Sequence, residues 1–258
     1  MKQWFDELPF RIGPTSYIIP DDILPNVRYL ADKVRDIELV LFDIDEYCNI
    51  PDAGQSAELK ALAARHGLSY TVHLPLDLNF SDRDRDISIE KAMKVISGTR
   101  GLDPHAYVCH LECKDVPDAP GDALRDWQEQ RIRAVSALTE LSGLRGEFAV
   151  ENLERYPIDW NEPVIRACGT HACLDIGHLF LQQIDPVPVM RRWLERTTVI
   201  HFHGIGTRDH QSLRHMSKEA VRAVLTELIR YDYRGVLTLE IFSESDFNES
   251  MEMIRECL

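Results

Sequence analysis

The sequence predicts one α/β domain, a single (β/α)8 TIM barrel over residues 1–258. Three observations predict it. Eight short runs have strand character, and segments with helical periodicity separate them. The length of 258 residues suits a barrel of this kind, which typically takes about 250. No linker rich in Pro, Gly or Ser and no repeat of solenoid period interrupts the alternation.

In chain order, the first strand run is RIGPTSYI (11–18). The helix ILPNVRYLADKV follows, with Leu24, Val27, Leu30 and Val34 on one face and Asp22 as its candidate cap. IELVLFDI (37–44) is the second strand, and SAELKALAARHG after it stops at Gly67, a natural C-terminal residue. SYTVHLP (69–75) and HAYVCHLE (105–112) are the third and fourth strands, with SIEKAMKVISG as the helix between them. DWQEQRIRAVSALTELSG is a clear amphipathic helix leading to GEFAVEN (146–152) and HACLDIGH (171–178). VPVMRRWLER connects to the seventh strand, TTVIHFHG (197–204). SKEAVRAVLTELIRY starts at a serine cap and leads to GVLTLEIF (235–242), the eighth.

Composition narrows the function. Hydrophobic residues make up 44% of the chain, enough for a substantial core. The net charge of −14 repels phosphate backbones, and the basic pairs, such as Arg191–Arg192, are scattered. Nucleic acid is therefore disfavoured as a partner, and a small-molecule substrate is expected. MKQWFDELPFRIG lacks the continuous apolar core of a signal peptide, and no run approaches a membrane span, so the expected compartment is the cytoplasm. The six cysteines (Cys48, Cys109, Cys113, Cys168, Cys173 and Cys257) form no CxxC pair and read as reduced thiols.

Barrel enzymes carry their sites at the C-terminal ends of the strands. Strand three ends at His73, strand four at His110 and Glu112, and strand five at Glu151 and Asn152. Strand six offers Asp175 and His178, strand seven His201 and His203 followed by Asp209 and His210, and strand eight Glu240. A single histidine at a strand end is more often a hydrogen-bonded structural residue than a ligand, and a lone Glu151 or Glu240 reads as a salt-bridged rim carboxylate. Six consecutive strands delivering such groups to one mouth make that explanation improbable. Mixed imidazoles and carboxylates suit zinc, manganese or iron, and the absence of cysteine from the set disfavours a closed structural zinc site.

This order of residues resembles the xylose isomerase-like barrel superfamily, over roughly residues 10–242. That group contains sugar isomerases and epimerases and the metal-dependent apurinic-site endonucleases. The endonuclease pattern implies two or three divalent cations per chain: one among His73, His110 and Glu151, and a second bridged by Glu151 and held by Asp175, His201 and Glu240. It implies a third at His178, Asp209 and His210, although here Asp209 and His210 are adjacent where the endonucleases have one residue between them. The epimerase pattern implies a single cation with Glu151 and Glu240 as the acid–base pair.

Within the superfamily, RIGPTSYIIPDDILPNVRYLADKVRDIELVLFD, LSYTVHLPLDL, VENLERYP, LDIGHLF and HFHGIGTRDHQSL are similar to the cobamide-remodelling phosphodiesterases. The resemblance implies cleavage of the nucleotide-loop phosphodiester of a corrinoid. The alternatives are a sugar or sugar-phosphate isomerase or epimerase, and a corrinoid- or metal-binding barrel without turnover.

His203 is extra to the pattern. One pleat period beyond His201, about 6.8 Å along the strand, it cannot share an ion with His201 unless the strand bends, and it is the candidate to orient or protonate the phosphoryl group. Arg83 and Arg85, in the charged segment LPLDLNFSDRDRD, and Asn152 are the candidate substrate contacts; the segment's simpler role is a solvated loop. IIPDDILPNV is either a plain helix start or a wall of the substrate mouth. Tyr17, Tyr47 and Tyr156, just past strand ends, are expected to pack the rim.

Overall fold

The chain alternates strand and helix along its whole length, and the computed structural model describes residues 3–44, 46–111 and 118–258. Strand β1 (Arg11–Pro14) leads to helix α1 (Ile23–Leu30), β2 (Asp36–Val40), α2 (Ala53–His66), β3 (Ser69–His73) and α3 (Arg85–Thr99). Then come β4 (Tyr107–Cys109), α4 (Asp122–Ser142), β5 (Phe148–Glu151), α5 (Glu162–Cys168), β6 (His171–Asp175), α6 (Ile176–Leu181) and α7 (Pro186–Trp193). The last elements are β7 (Thr197–His201), α8 (Lys218–Tyr231), β8 (Val236–Leu239) and α9 (Glu244–Cys257).

The eight strands form one parallel sheet in the order β1-β8-β7-β6-β5-β4-β3-β2. The bond from Arg35 N to Ile12 O (2.9 Å), that from Ser16 N to Glu38 O (2.8 Å) and a bridge between Thr15 and Glu38 bring β1 against β2. The result is a single TIM barrel. Close approach of these two strands explains Gly13, where a Cβ would lie 1.6 Å from the Asp36 carbonyl oxygen.

Alternation along the strands sorts side chains into two populations. One faces the helices and is large: Tyr107, Phe148, Leu174, Ile200 and Leu237 belong to the main hydrophobic core. The other faces the barrel axis and is small, since the interior is narrow; Ala106, Val108, Ala149, Cys173 and Val199 form their own cluster. Moving two residues along each strand from Val108, Ala149, Cys173 and Val199 reaches His110, Glu151, Asp175 and His201. The donors therefore form the interior layer above an apolar floor.

The strands are shorter than the hydrophobic runs that mark them. The run 37–44 splits, because Asp43–Ile44 leaves the barrel and pairs antiparallel with Tyr47–Cys48. LDIGH does not continue β6: the Asp175 side chain accepts from His178 N (2.7 Å) and caps α6, so His178 is helical. Caps at Ser217 and Gly67 stand where the sequence puts them, the latter at φ 67°. Asp22 precedes α1 but makes no side-chain cap bond; buried Asn26 ties the loop instead, accepting from Ile18 N and Ile19 N. Helices α5 and α9 had no counterpart in the predicted pattern, α5 being short and α9 rich in charge. Glu112 and Cys113 lie outside the described residues. The described cysteines are free. Among the described residues no helix is long and apolar enough to cross a membrane.

Candidate metal centre

Glu151 is the hub. Its Oε2 lies 3.3 Å from His73 Nε2, 3.1 Å from His110 Nε2 and 3.4 Å from His201 Nδ1. His201 Nδ1 also faces Glu240 Oε2 at 3.2 Å and Asp175 Oδ2 at 3.9 Å. Two groups able to hold a cation result, His73–His110–Glu151 and Glu151–Asp175–His201–Glu240, each with donor atoms within 4.8 Å of one another. A third comprises His178, His203 and His210.

Several of these donor atoms are buried and have no hydrogen-bond partner: Glu151 Oε1, Asp175 Oδ2, His201 Nδ1 and Glu240 Oε2. Orphaned buried polar atoms are costly, about 1–3 kcal/mol each, so their convergence on one point asks for a ligand. In four of the rings the other nitrogen is tied down. Nδ1 of His73 is bonded to the Leu74 carbonyl (2.8 Å), that of His178 to the Asn152 carbonyl (2.9 Å), and that of His210 to the Glu240 carbonyl (3.1 Å). His201 is reversed: Nε2 meets the carboxylate of Glu38 at 2.9 Å. Donation to a carbonyl or carboxylate puts the proton on the bonded nitrogen and leaves the site-facing one with a lone pair. That is the pattern of metal-ligating histidines. The residues fit divalent cations, with N and O donors suited to zinc, manganese or iron.

His203 follows a different rule. Its Nδ1 accepts from the His210 amide at 3.1 Å, closer than the Gly204 carbonyl at 3.3 Å, so the proton of the neutral ring sits on Nε2. That Nε2–H faces Asp175 Oδ1 at 3.4 Å. In that tautomer His203 offers a proton, although its Nε2 has no hydrogen-bond partner and stands with His178 and His210 in the third group. Two backbone features hold it there. His210 has φ 50°, in the left-handed region, and Gly177 lies so close that a Cβ would be 2.2 Å from the His203 ring.

The electrostatics are those of a carboxylate nest. Burial would lower the pKa of His73, but its bond to Glu151 and the charges of Glu38, Glu151 and Glu240 raise it to about 9. Burial is likewise outweighed at His178 by Asp175, Glu151 and Glu240, which raise it to about 9. His201, between Cys173, Glu38, Glu240 and Glu151, is raised well above its ordinary value against its burial. Glu151 is held well below the usual range: burial would raise it, and His110 and His201 prevail. The nest demands positive charge.

The structure also relocates expected residues. Asp209 joins none of the groups; its carboxylate is half-exposed and lies 3.8 Å from His210 Nε2, and His203 stands beside His178 and His210 in its stead. Asp209 thus approaches His210 from the exposed side and does not meet His178 or His203. Asn152 uses both amide atoms on the Asp175 backbone, donating from Nδ2 to its carbonyl (3.0 Å) and accepting its amide at Oδ1 (2.7 Å), so it positions Asp175. Arg83 pairs with Asp84, and Arg85 with Asp82 and Asp86, all on the surface. Tyr156 is buried edge-on against Trp127, whereas Tyr17 lines a cleft at the rim.

Two residues were missed. Glu38 is fully buried in β2, and the only trace of it in the sequence is a carboxylate inside the apolar run IELVLF. Cys173, one pleat below Asp175, groups with Glu151 and His201, so a thiol does lie beneath the donors.

A model of the xylose isomerase-like TIM barrel family matches residues 34–257. No curated protein matches the chain. Among solved structures, a D-tagatose 3-epimerase-like protein superposes with TM-score 0.79 at 18% identity, covering 96% of this chain and 97% of that one. An L-ribulose 3-epimerase gives 0.70 at 20% identity over 92% and 82% of the two chains. A 3-keto-D-glucoside 4-epimerase from E. coli gives 0.70 at 15% identity over 96% and 98%. At such identities the likeness is one of fold.

Proposed function

The chain belongs to the xylose isomerase-like TIM barrel family, and from that premise we propose that it is a metal-dependent phosphodiesterase. The observation that carries this reading is the surplus of donors. A single cation, as the epimerase pattern implies, is satisfied by the four groups Glu151, Asp175, His201 and Glu240. His73, His110, His178 and His210 then remain, each contiguous with that set.

When bound, two or three adjacent cations supply the charge that activates water and steadies the leaving oxygen of a phosphoester. His73, His110 and Glu151 would hold one, Asp175, His201 and Glu240 with Glu151 a second, and His178 with His210 a third. His203, with its proton on Nε2, donates to the phosphoryl or leaving oxygen. Asn152 and Glu38 fix Asp175 and His201. The acidic surface favours a small molecule over a nucleic acid. The cobamide nucleotide loop is the substrate proposed, on the resemblance of the segments around 11–43 and 197–212.

The second reading is a sugar or sugar-phosphate epimerase, with Glu151 and Glu240 exchanging a proton across a bound ketose. The comparisons back this alternative better, since three similar structures carry epimerase names. Elemental analysis and two assays separate them. Two or more cations per chain, with release of the nucleoside from a cobamide, support the phosphodiesterase. One cation, with interconversion of a ketose or ketose phosphate and no nucleoside release, refutes it.

A further inference from the structure

At the opposite end of the barrel from the donor set, where β6 and β7 begin, lies a hollow of about 330 Å³. Ile165, Arg166, Gly169, Thr170, His171 and Arg196 line it. Its volume falls within the roughly 300–1,000 Å³ of pockets that take small molecules. His171 opens β6 and Asp175 closes it, so the hollow stands about 13 Å along the strand from the metal centre. The two places are separate.

Arg196 is left without a counter-charge. Its side chain is half-buried, and among the described residues it has no ion pair and no hydrogen bond. Arg191 and Arg192, just before it in the chain, hold the carboxylates of Glu227 and Asp159. Thr170 is 6% exposed, and its Oγ1 has no hydrogen-bond partner. His171 donates from Nδ1 to the Gly146 carbonyl (2.8 Å), and its Nε2 has no protein partner among the described residues. Arg145 stands behind the same turn: burial raises the Cys168 thiol, and Ser136 and the Arg145 charge oppose it. The neighbouring carboxylates are engaged or in solvent. Glu162 pairs with Arg166 (2.6 Å), Glu147 accepts from the Arg145 amide (3.0 Å), and Glu195 is exposed. A chain of net charge −14 thus gathers three arginines, a histidine and an unpaired hydroxyl around the turn 168–171.

A guanidinium fork beside a hydroxyl matches the oxygens of a tetrahedral oxyanion, and an uncharged ligand would leave Arg196 unpaired. Several positive groups at one point favour a dianion over a single carboxylate. We propose that this hollow binds a phosphate dianion, free or as the phosphate of a small monoester, with Arg196, Thr170 and His171 as its contacts. The site goes beyond the chemistry at the mouth and stands whether that chemistry is phosphoester cleavage or epimerisation.

Equilibrium binding tests it without turnover. Inorganic phosphate is titrated by calorimetry into zinc-loaded protein freed of excess zinc, with ribose 5-phosphate in parallel to distinguish the free ion from a monoester. Wild type, Arg196→Gln, Thr170→Val and His201→Ala are compared, the last because cations at the mouth also attract phosphate. The expected result is a saturable binding step that Arg196→Gln weakens about tenfold or more, Thr170→Val weakens as well, and His201→Ala leaves in place. Arg196→Lys, which keeps the charge without the fork, falls between wild type and Arg196→Gln. Phosphate raises the melting temperature of wild type and raises that of Arg196→Gln less. Arg196 has no partner to lose, and unchanged zinc content and circular dichroism in Arg196→Gln and Thr170→Val verify that both fold. Equal affinity in wild type and Arg196→Gln overturns the proposal. Binding that His201→Ala abolishes and Arg196→Gln spares overturns it too, because the phosphate then sits on the metal. So does a dimer in sedimentation that Arg196→Gln dissolves, which gives the arginine to a carboxylate of a second copy.

Discussion

Glu38→Gln isolates the one contact that sets His201 apart from the other rings. Glu38 is fully buried, its Oε2 lies 2.9 Å from His201 Nε2, and its Oε1 has no hydrogen-bond partner. The carboxylate holds the proton on Nε2 and keeps the Nδ1 lone pair aimed at Glu151, Asp175 and Glu240. Glutamine keeps the volume and one acceptor but removes the charge. Losing such an outer partner costs about 10–100-fold in metal affinity, or roughly 1.4–2.8 kcal/mol. At a free cation concentration of about 1,000 times the wild-type dissociation constant, binding stabilises the fold by about 4 kcal/mol, and a thirtyfold weaker site leaves about 2 kcal/mol. For a chain of this size that difference removes roughly 4–8 °C of the cation-induced rise in melting temperature. The assay is zinc titration against a chromophoric chelator, with thermal melts of metal-free and zinc-loaded protein. Identical zinc affinity and an identical melting shift in the variant would refute the argument, because His201 would then be oriented by its packing alone.

His201→Ala is expected to lose the central cation. His203→Ala keeps metal content close to wild type and lowers turnover about 10²–10⁴-fold, and equal metal loss in both would make His203 a ligand. Gly177→Ala pushes a methyl into the His203 ring; it should mimic His203→Ala in turnover with metal retained, and wild-type turnover would show that the ring has room to move. In metal-free protein, His73 and His178 titrate at about 9 against 6.5 unfolded. Their protonation stabilises the metal-free fold fully below pH 6.5, and that contribution is lost as pH rises through about 9. Cations need the neutral rings, so zinc affinity should climb across the same window with proton release; calorimetry in buffers of different ionisation heat would expose a pH-independent affinity. Asp36, whose burial raises its carboxyl to about 7 from 3.8, makes the fold lose stability as pH rises from about 4 to 7. Asp36→Asn should flatten that slope in denaturant titrations, and an unchanged slope would place its cause elsewhere.

The sequence by itself determined the barrel, because alternation of short apolar runs with amphipathic segments leaves few other ways to bury both faces of every strand. Alternation also determined which residues reach the mouth: His73, Glu151, Asp175 and His201 follow from position on a strand. Parity along the run 197–204 put His201 and His203 on one side, although β7 itself ends at His201. What each of them meets was decided only in three dimensions, by the left-handed turn at His210, the gap at Gly177 and the carboxylate at Glu38. Glu38 was hidden because a strand buried on both faces reads as one apolar run, and periodicity carries no mark for the residue that points at the axis. The place of His203 beside His178 and His210, where Asp209 was expected, has the same character, since loop spacing changes which side chain arrives without altering composition. Strand position is a local property that one chain segment fixes. Ring tautomers and orphaned donors arise from atoms on different strands, and only closure of the sheet brings those atoms within hydrogen-bonding range.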